Sequence, residues 1–304
     1  MFTNKEVYLD ESILTQNNVT QTIIDTINYI YQSILSSIDN NLYSVLDNLI
    51  FINSDILNDK NFQSIFGTST TNGILLISNA FLLGFILYFG ARYLLSHYTF
   101  SQIEKPHSFL IKLILCGLFM NCSYFLIKQI IDIFSFTSSA ICTIGNNLFS
   151  KNISFSELIN IMNSNISISG NSVDVFSLDG LLKGTLSLSL LGLIFSYSLR
   201  YILIKILILL SPFAILSASL NSTAWFFKSW IKNIFSLFFI QIIVAIVLVL
   251  LFSMDYSSSD LFVKFIYIGG IYALLKANSF VRDFIGGIST NVSQSVNNFS
   301  RFVR

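Results

Sequence analysis

The chain has 304 residues, of which 53% are hydrophobic and 11% charged, with a mean hydropathy of +0.70 and a net charge of +1. Soluble domains average roughly 25% charged residues, so the composition excludes an ordinary soluble fold and implies an all-α, polytopic integral membrane protein. Neither the net charge nor any Lys/Arg-rich run marks a nucleic-acid footprint.

Residues 1–72 read as an external region with a marked acidic bias. Eight carboxylates (Glu6, Asp10, Glu11, Asp25, Asp39, Asp47, Asp55, Asp59) face Lys5 and Lys60. No apolar core segment follows the first charges, so no secretory leader is expected and insertion falls to internal spans. Ile23, Ile27, Ile30, Ile34, Ile38, Leu42, Val45, Leu49 and Ile52 recur at steps of three or four, which predicts an amphipathic helix. Its polar face is acidic and Asn-rich. That favours packing against another helix, of this chain or of a neighbouring copy, over lying on anionic lipid.

The first span is expected over 73–95 and the second over 109–131, making 73–131 a pair of membrane spans joined by a short link with His97, Lys105, Pro106 and His107. Residues 132–180 are richer in Ser, Thr, Asn and Gly and read as an external polar loop region with short helices of its own. Cys116, Cys122 and Cys142 have no His at metal-ligand spacing and read as small buried hydrophobes.

Residues 181–279 form the membrane core. A third span runs over 181–210 and Pro212 ends or kinks it, because proline removes a helix hydrogen bond and clashes with the preceding turn. Arg200 and Lys205 are costly at mid-bilayer. Trp225, Lys228, Trp230 and Lys232 have the composition of a membrane–water boundary. With Arg200 and Lys205 they are the candidate cytoplasmic basic and aromatic connector. Spans four and five follow over 234–252 and 261–275, then a cytoplasmic tail, 280–304. Gly269-Gly270 suggests close helix packing, and Gly286-Gly287 a helix C-cap in the tail.

Acidic and basic segments alternate under one topology: N-terminus outside, five spans, C-terminus in the cytoplasm. The sequence has no nucleophile elbow, zinc motif, phosphate loop or paired intramembrane carboxylates. It therefore reads as a non-enzyme without cofactor, metal or catalytic residues.

The block LLSPFAILSAS…WFFKSWIKN…FIQIIVAIVLVLLF and the ending KANSFVRDFIGG, with this topology, resemble the TrbL family of polytopic inner-membrane subunits of type IV secretion systems. The likeness runs over roughly 181–287, with one departure. Asn278-Ser279 stands where that family commonly has a proline before its last short helix. The resemblance implies a homo-oligomeric channel or scaffold subunit in a bacterial cytoplasmic membrane. Its partners would be cytoplasmic ATPases and external stalk or pilus components, and its cargo DNA or protein. The competing reading is a stand-alone transporter or channel subunit for a small solute, against which stands the lack of an inverted repeat or of paired broken spans. A phage-type lesion protein or its immunity partner fits the long external region poorly.

Overall fold

A computed structural model gives the fold and describes residues 19–33, 45–67, 73–99, 106–166, 177–254 and 261–286. Among these residues every regular element is helical. Two short helices, α1 (19–33) and α2 (45–50), come first, followed by a 3₁₀ turn, Ser54–Leu57. Then come α3 (Lys60–Phe66), α4 (Ile74–Thr99), α5 (Pro106–Asn121), α6 (Ser123–Phe149) and α7 (Phe155–Ile166). The last four are α8 (Leu178–Leu209), α9 (Ser211–Ser217), α10 (Ala224–Phe252) and α11 (Leu261–Ile285).

Among the described residues, four helices are long and apolar enough to cross a membrane: α4, α6, α8 and α10. At about 1.5 Å per residue, the 27 to 32 residues of α6, α8 and α10 exceed the ~30 Å hydrocarbon layer. The expected fifth span lies in α11, which has 25 residues but carries Lys264, Lys276, Arg282 and Asp283 and falls outside that set.

Helix directions follow from side-chain pairings. Phe134 of α6 packs on Phe235 and Phe238, and a Cβ at Gly145 would touch Val249, so α6 and α10 run parallel. Arg200 and Leu207 of α8 meet Leu237 and Trp230 of α10, which makes that pair antiparallel. Ser196 meets Asn278 while Tyr197 reaches Leu274, and a Cβ at Gly192 would touch Leu275, so α11 runs with α8. These four helices form one bundle around a continuous apolar core.

The stretch expected as span two is divided. It ends α5 at Asn121 and begins α6 at Ser123, yet Cys122 donates to Leu118 O and Leu126 donates to Cys122 O, both at 3.0 Å. The helical path therefore runs on from 106 to 149, and residues 132–149, read as external loop, are the second half of α6. Serines and threonines mid-helix misled the reading, since Thr137, Ser138 and Thr143 satisfy their hydroxyls on backbone carbonyls three or four residues back. α4 and α5 form an antiparallel hairpin: Phe89 stacks on Phe109 at 3.6 Å, and Asn79 and Asn121 exchange side-chain amide bonds of 3.1 and 3.2 Å. The hairpin joins the bundle through α9 and residues 218–223. Phe213 meets Phe81, Met120 packs with Ile215 and Leu216, and Leu220 packs on Phe89 and Phe109.

The expected N-terminal amphipathic helix is described in two parts, α1 and α2, and α2 ends before Ile52. Residues 34–44 lie outside the described residues. α1 keeps an exposed isoleucine stripe, whereas Leu46, Ile50, Ile52, Ile56, Leu57, Phe62 and Phe66 are buried in the bundle core. Residues 45–67 therefore pack into the core of the helical bundle. The chain breaks there because Asn53 and Asp59 accept from the backbone N–H groups of Asp55 and Asn61, capping the next short helix instead of continuing the last. Gly67, at φ +97°, ends α3, and the Gly73 Cβ position lies 2.6 Å from the Gly67 Cα. Neither position tolerates a side chain without moving the α3–α4 turn.

Candidate functional site

The interrupted segment 45–67 lies beside α8, and the charge of α8 meets it there. Arg200 is completely buried. Its Nε–H donates to Leu237 O of α10 at 2.8 Å and an Nη1–H to Ile50 O, the last carbonyl of α2, at 3.0 Å. Among the described residues Nη2 has no hydrogen-bond partner, and the guanidinium carbon stands 5.8 Å from the Tyr197 ring centroid. One side chain thus ties three elements together through backbone oxygens alone. A planar guanidinium suits this role because its donors point outward in a fixed fork. A carbonyl freed by a helix break is an unsatisfied acceptor at membrane depth until something donates to it.

One turn on, Lys205 Nζ sits 3.6 Å from an Asp59 carboxylate oxygen and over the rings of Phe62 and Tyr201, at 5.4 and 5.3 Å. Tyr124 of α6 donates to Leu57 O at 2.8 Å and stacks edge-on against Phe66. At the far end, Asp47 accepts from Phe155 N–H (2.7 Å), Ser156 N–H (3.3 Å) and Ser156 Oγ–H (2.7 Å), capping α7. Negative charge at a helix N-terminus is favourable. The segment is pinned at both ends and in its middle.

Between this segment and α8 lies an open-mouthed cleft of about 420 Å³, lined among others by Asn48, Phe51, Asn53, Asp55 and Tyr201. Arg200 does not line it; its neighbour Tyr201 does. Deeper in the bundle, the Asn278 amide donates to Ser196 Oγ at 2.6 Å. Gln241, fully buried one turn beyond Leu237, has no partner among the described residues for either amide atom. A polar layer therefore runs through the α8–α10–α11 contact, where lipid-facing sequence would have none.

The six residues of the expected connector do not form one surface. Arg200 and Trp230 are buried pins of the α8–α10 contact, with the indole N–H donating to Leu207 O at 2.8 Å. Lys205 belongs to the interrupted segment. Only Trp225, Lys228 and Lys232 are exposed, on the first turns of α10. Pro212 occupies the first turn of α9, where its missing N–H costs nothing, and α8 ends just before it at Leu209. Gly286, at φ +79°, ends α11, with its N–H donating to Arg282 O and the Lys232 side chain packed against it. That places a cation at a helix C-terminus. Gly287 lies outside the described residues.

Sequence reasoning missed Ile50, Asp59, Asp47 and Tyr124. The signal available was the cluster Asn53, Asp55, Asn58 and Asp59, capping residues set inside an apolar periodic run. Among the described residues no group of three or more His, Cys, Asp and Glu is arranged to hold a metal. Comparison with protein-family models, with curated proteins and with solved structures gives no match.

Proposed function

We infer that this chain is a non-enzymatic channel or scaffold subunit of a type IV secretion machine, working as a homo-oligomer in a bacterial cytoplasmic membrane. In this reading the N-terminus is outside and the C-terminus cytoplasmic. The observation that carries it is the α4–α5 hairpin. Only 6% of the most apolar window of α4 is buried within the chain, against 56% for α10. The hairpin packs on the bundle chiefly through α5, against α9, residues 218–223 and Phe227, and this leaves most of the apolar surface of α4 for lipid and for neighbouring subunits. Membrane helices associate by close packing and occasional polar pairs, and Asn79 and Asn121 supply one such pair within the hairpin. Lys228 and Lys232, exposed at the start of α10, are the cations left for cytoplasmic ATPases.

The test is an in-frame deletion in the native host, scored for transfer of DNA to a recipient cell and complemented by the intact gene. Loss of transfer at normal growth, restored by the gene, supports the reading; unchanged transfer overturns it. Lys228→Glu with Lys232→Glu should lower transfer while leaving membrane insertion intact, and unchanged transfer would remove the ATPase contact. The second reading, a solute channel or transporter, is favoured by the interrupted segment beside Arg200, since broken segments at membrane depth line binding sites in transporters. Solute uptake into vesicles holding only this chain, abolished by Arg200→Met, would favour it.

A further inference from the structure

We propose that α1 is an in-plane helix, lying in the headgroup–acyl boundary of the bilayer beside the start of α8 with Val19, Ile23, Ile27 and Ile30 turned into lipid.

Those four residues recur at steps of four, four and three, so they share one helix face. All are between 40 and 60% exposed. The opposite side carries Gln21 and Asp25, joined by a 3.2 Å hydrogen bond. A hydrogen bond ties the helix to the start of α8. Tyr31 O–H, in its last turn, donates to Gly180 O at 2.6 Å, and Gly184, one turn on, contacts the same hydroxyl. Gly180 lies in the first turn of α8, a helix long and apolar enough to cross a membrane. The tether therefore sets α1 beside the N-terminal end of that helix.

Two other occupants fit less well. A second copy held by this stripe alone would rest on a helix of 15 residues, about 22 Å long. One stripe of that length covers far less than the ~800 Å² per partner of a stable interface. An anionic surface is disfavoured because Asp25 is the sole charged side chain of α1. What remains is apolar insertion at a zwitterionic boundary, which needs a large apolar face and no basic one. This departs from the expectation of packing on another helix, and it stands independently of the secretion reading.

The experiment adds one tryptophan at a time, Ile27→Trp or Asp25→Trp, in the full chain reconstituted in phosphatidylcholine vesicles with increasing dibromo-phosphatidylcholine. Quenching is read as the difference from the unsubstituted chain, which supplies the background of Trp225 and Trp230. Both positions are exposed, so neither substitution crowds the core. The expected result is bromine quenching at least about threefold stronger at 27 than at 25, with blue-shifted emission at 27 only, unchanged on tenfold dilution of protein in lipid. Equal, weak quenching at both positions would place the stripe in water and overturn the proposal. Shielding of position 27 that is lost on dilution would assign the stripe to a second copy and overturn it equally.

Discussion

Replacing Arg200 separates two roles that a buried cation can have. If the side chain serves as a fork for two carbonyls, then Arg200→Lys should be worse than Arg200→Met, against the usual ranking of conservative changes. A lysine retains the buried charge but offers one ammonium in place of a fork. It cannot serve Ile50 O and Leu237 O, on separate elements 2.8 to 3.0 Å from different guanidinium nitrogens. One charge-assisted bond, about 1.5–3 kcal/mol, is lost, and a buried carbonyl is left unmet at about 1–3 kcal/mol. Leu237 O lies within α10 and has its own helix bond, so the orphan is Ile50 O. The expected loss for the lysine is about 2.5–6 kcal/mol.

Methionine loses both bonds and leaves the same carbonyl unmet, about 4–9 kcal/mol together, but removes a charge whose burial itself costs several kcal/mol. The net change should be smaller than that of the lysine variant. Equilibrium unfolding in mixed micelles, followed by the native Trp225 and Trp230, measures both variants. Tryptic cleavage at Lys60 in α3 reports locally, and the lysine variant should be cut there at lower denaturant. A lysine variant as stable as the parent, beside a collapsed methionine variant, would refute the reasoning: the charge, and not the fork, would then be what the fold needs.

The other contacts give sharper single outcomes. Trp230→Phe should cost about 1–2 kcal/mol in the same assay, since it deletes the bond to Leu207 O inside a packed α8–α10 seam. Asp47→Ala removes three acceptor contacts at the start of α7 and should cost about 2–3 kcal/mol, with hydrogen exchange rising first at 155–158. Asn79→Leu and Asn121→Leu should couple by roughly 0.6–1.7 kcal/mol in a double-mutant cycle, the range of side-chain hydrogen bonds between membrane helices. Gly270→Ala should destabilise by about 1–3 kcal/mol because its Cβ meets the Leu251 side chain, and Leu251→Ala should recover part of that loss when combined with it.

The sequence showed helices wherever apolar residues ran long, and it showed the end of α8 at Pro212, because both signals are local. It concealed whatever depends on what a helix faces. Arg200 and Lys205 read as paired cations of one connector, yet five residues apart on a helix they point to different neighbours. One enters the bundle to reach Ile50, and the other leaves it for Asp59. Trp225 and Trp230 are divided in the same way, one exposed and one buried.

The largest gap in that reading, segment 45–67, follows from the same physics. An isoleucine period of three and four continues through Val45, Leu49 and Ile52, and by itself it calls for one helix. The capping groups of Asn53 and Asp59 compete for the same backbone N–H groups, and they prevail because Arg200 and Tyr124 reach the carbonyls that each break sets free. A break in an apolar helix is affordable only when its orphaned acceptors find donors: Gln63, six residues on, joins Tyr124 at Leu57 O, whereas the Ile50 carbonyl is met from 150 residues away. No local window of sequence contains both halves of that second exchange. Arg200 and the broken segment therefore explain each other: without the break, the guanidinium would lose the Ile50 carbonyl, and without the guanidinium, α2 would end on an unmet acceptor inside the bundle.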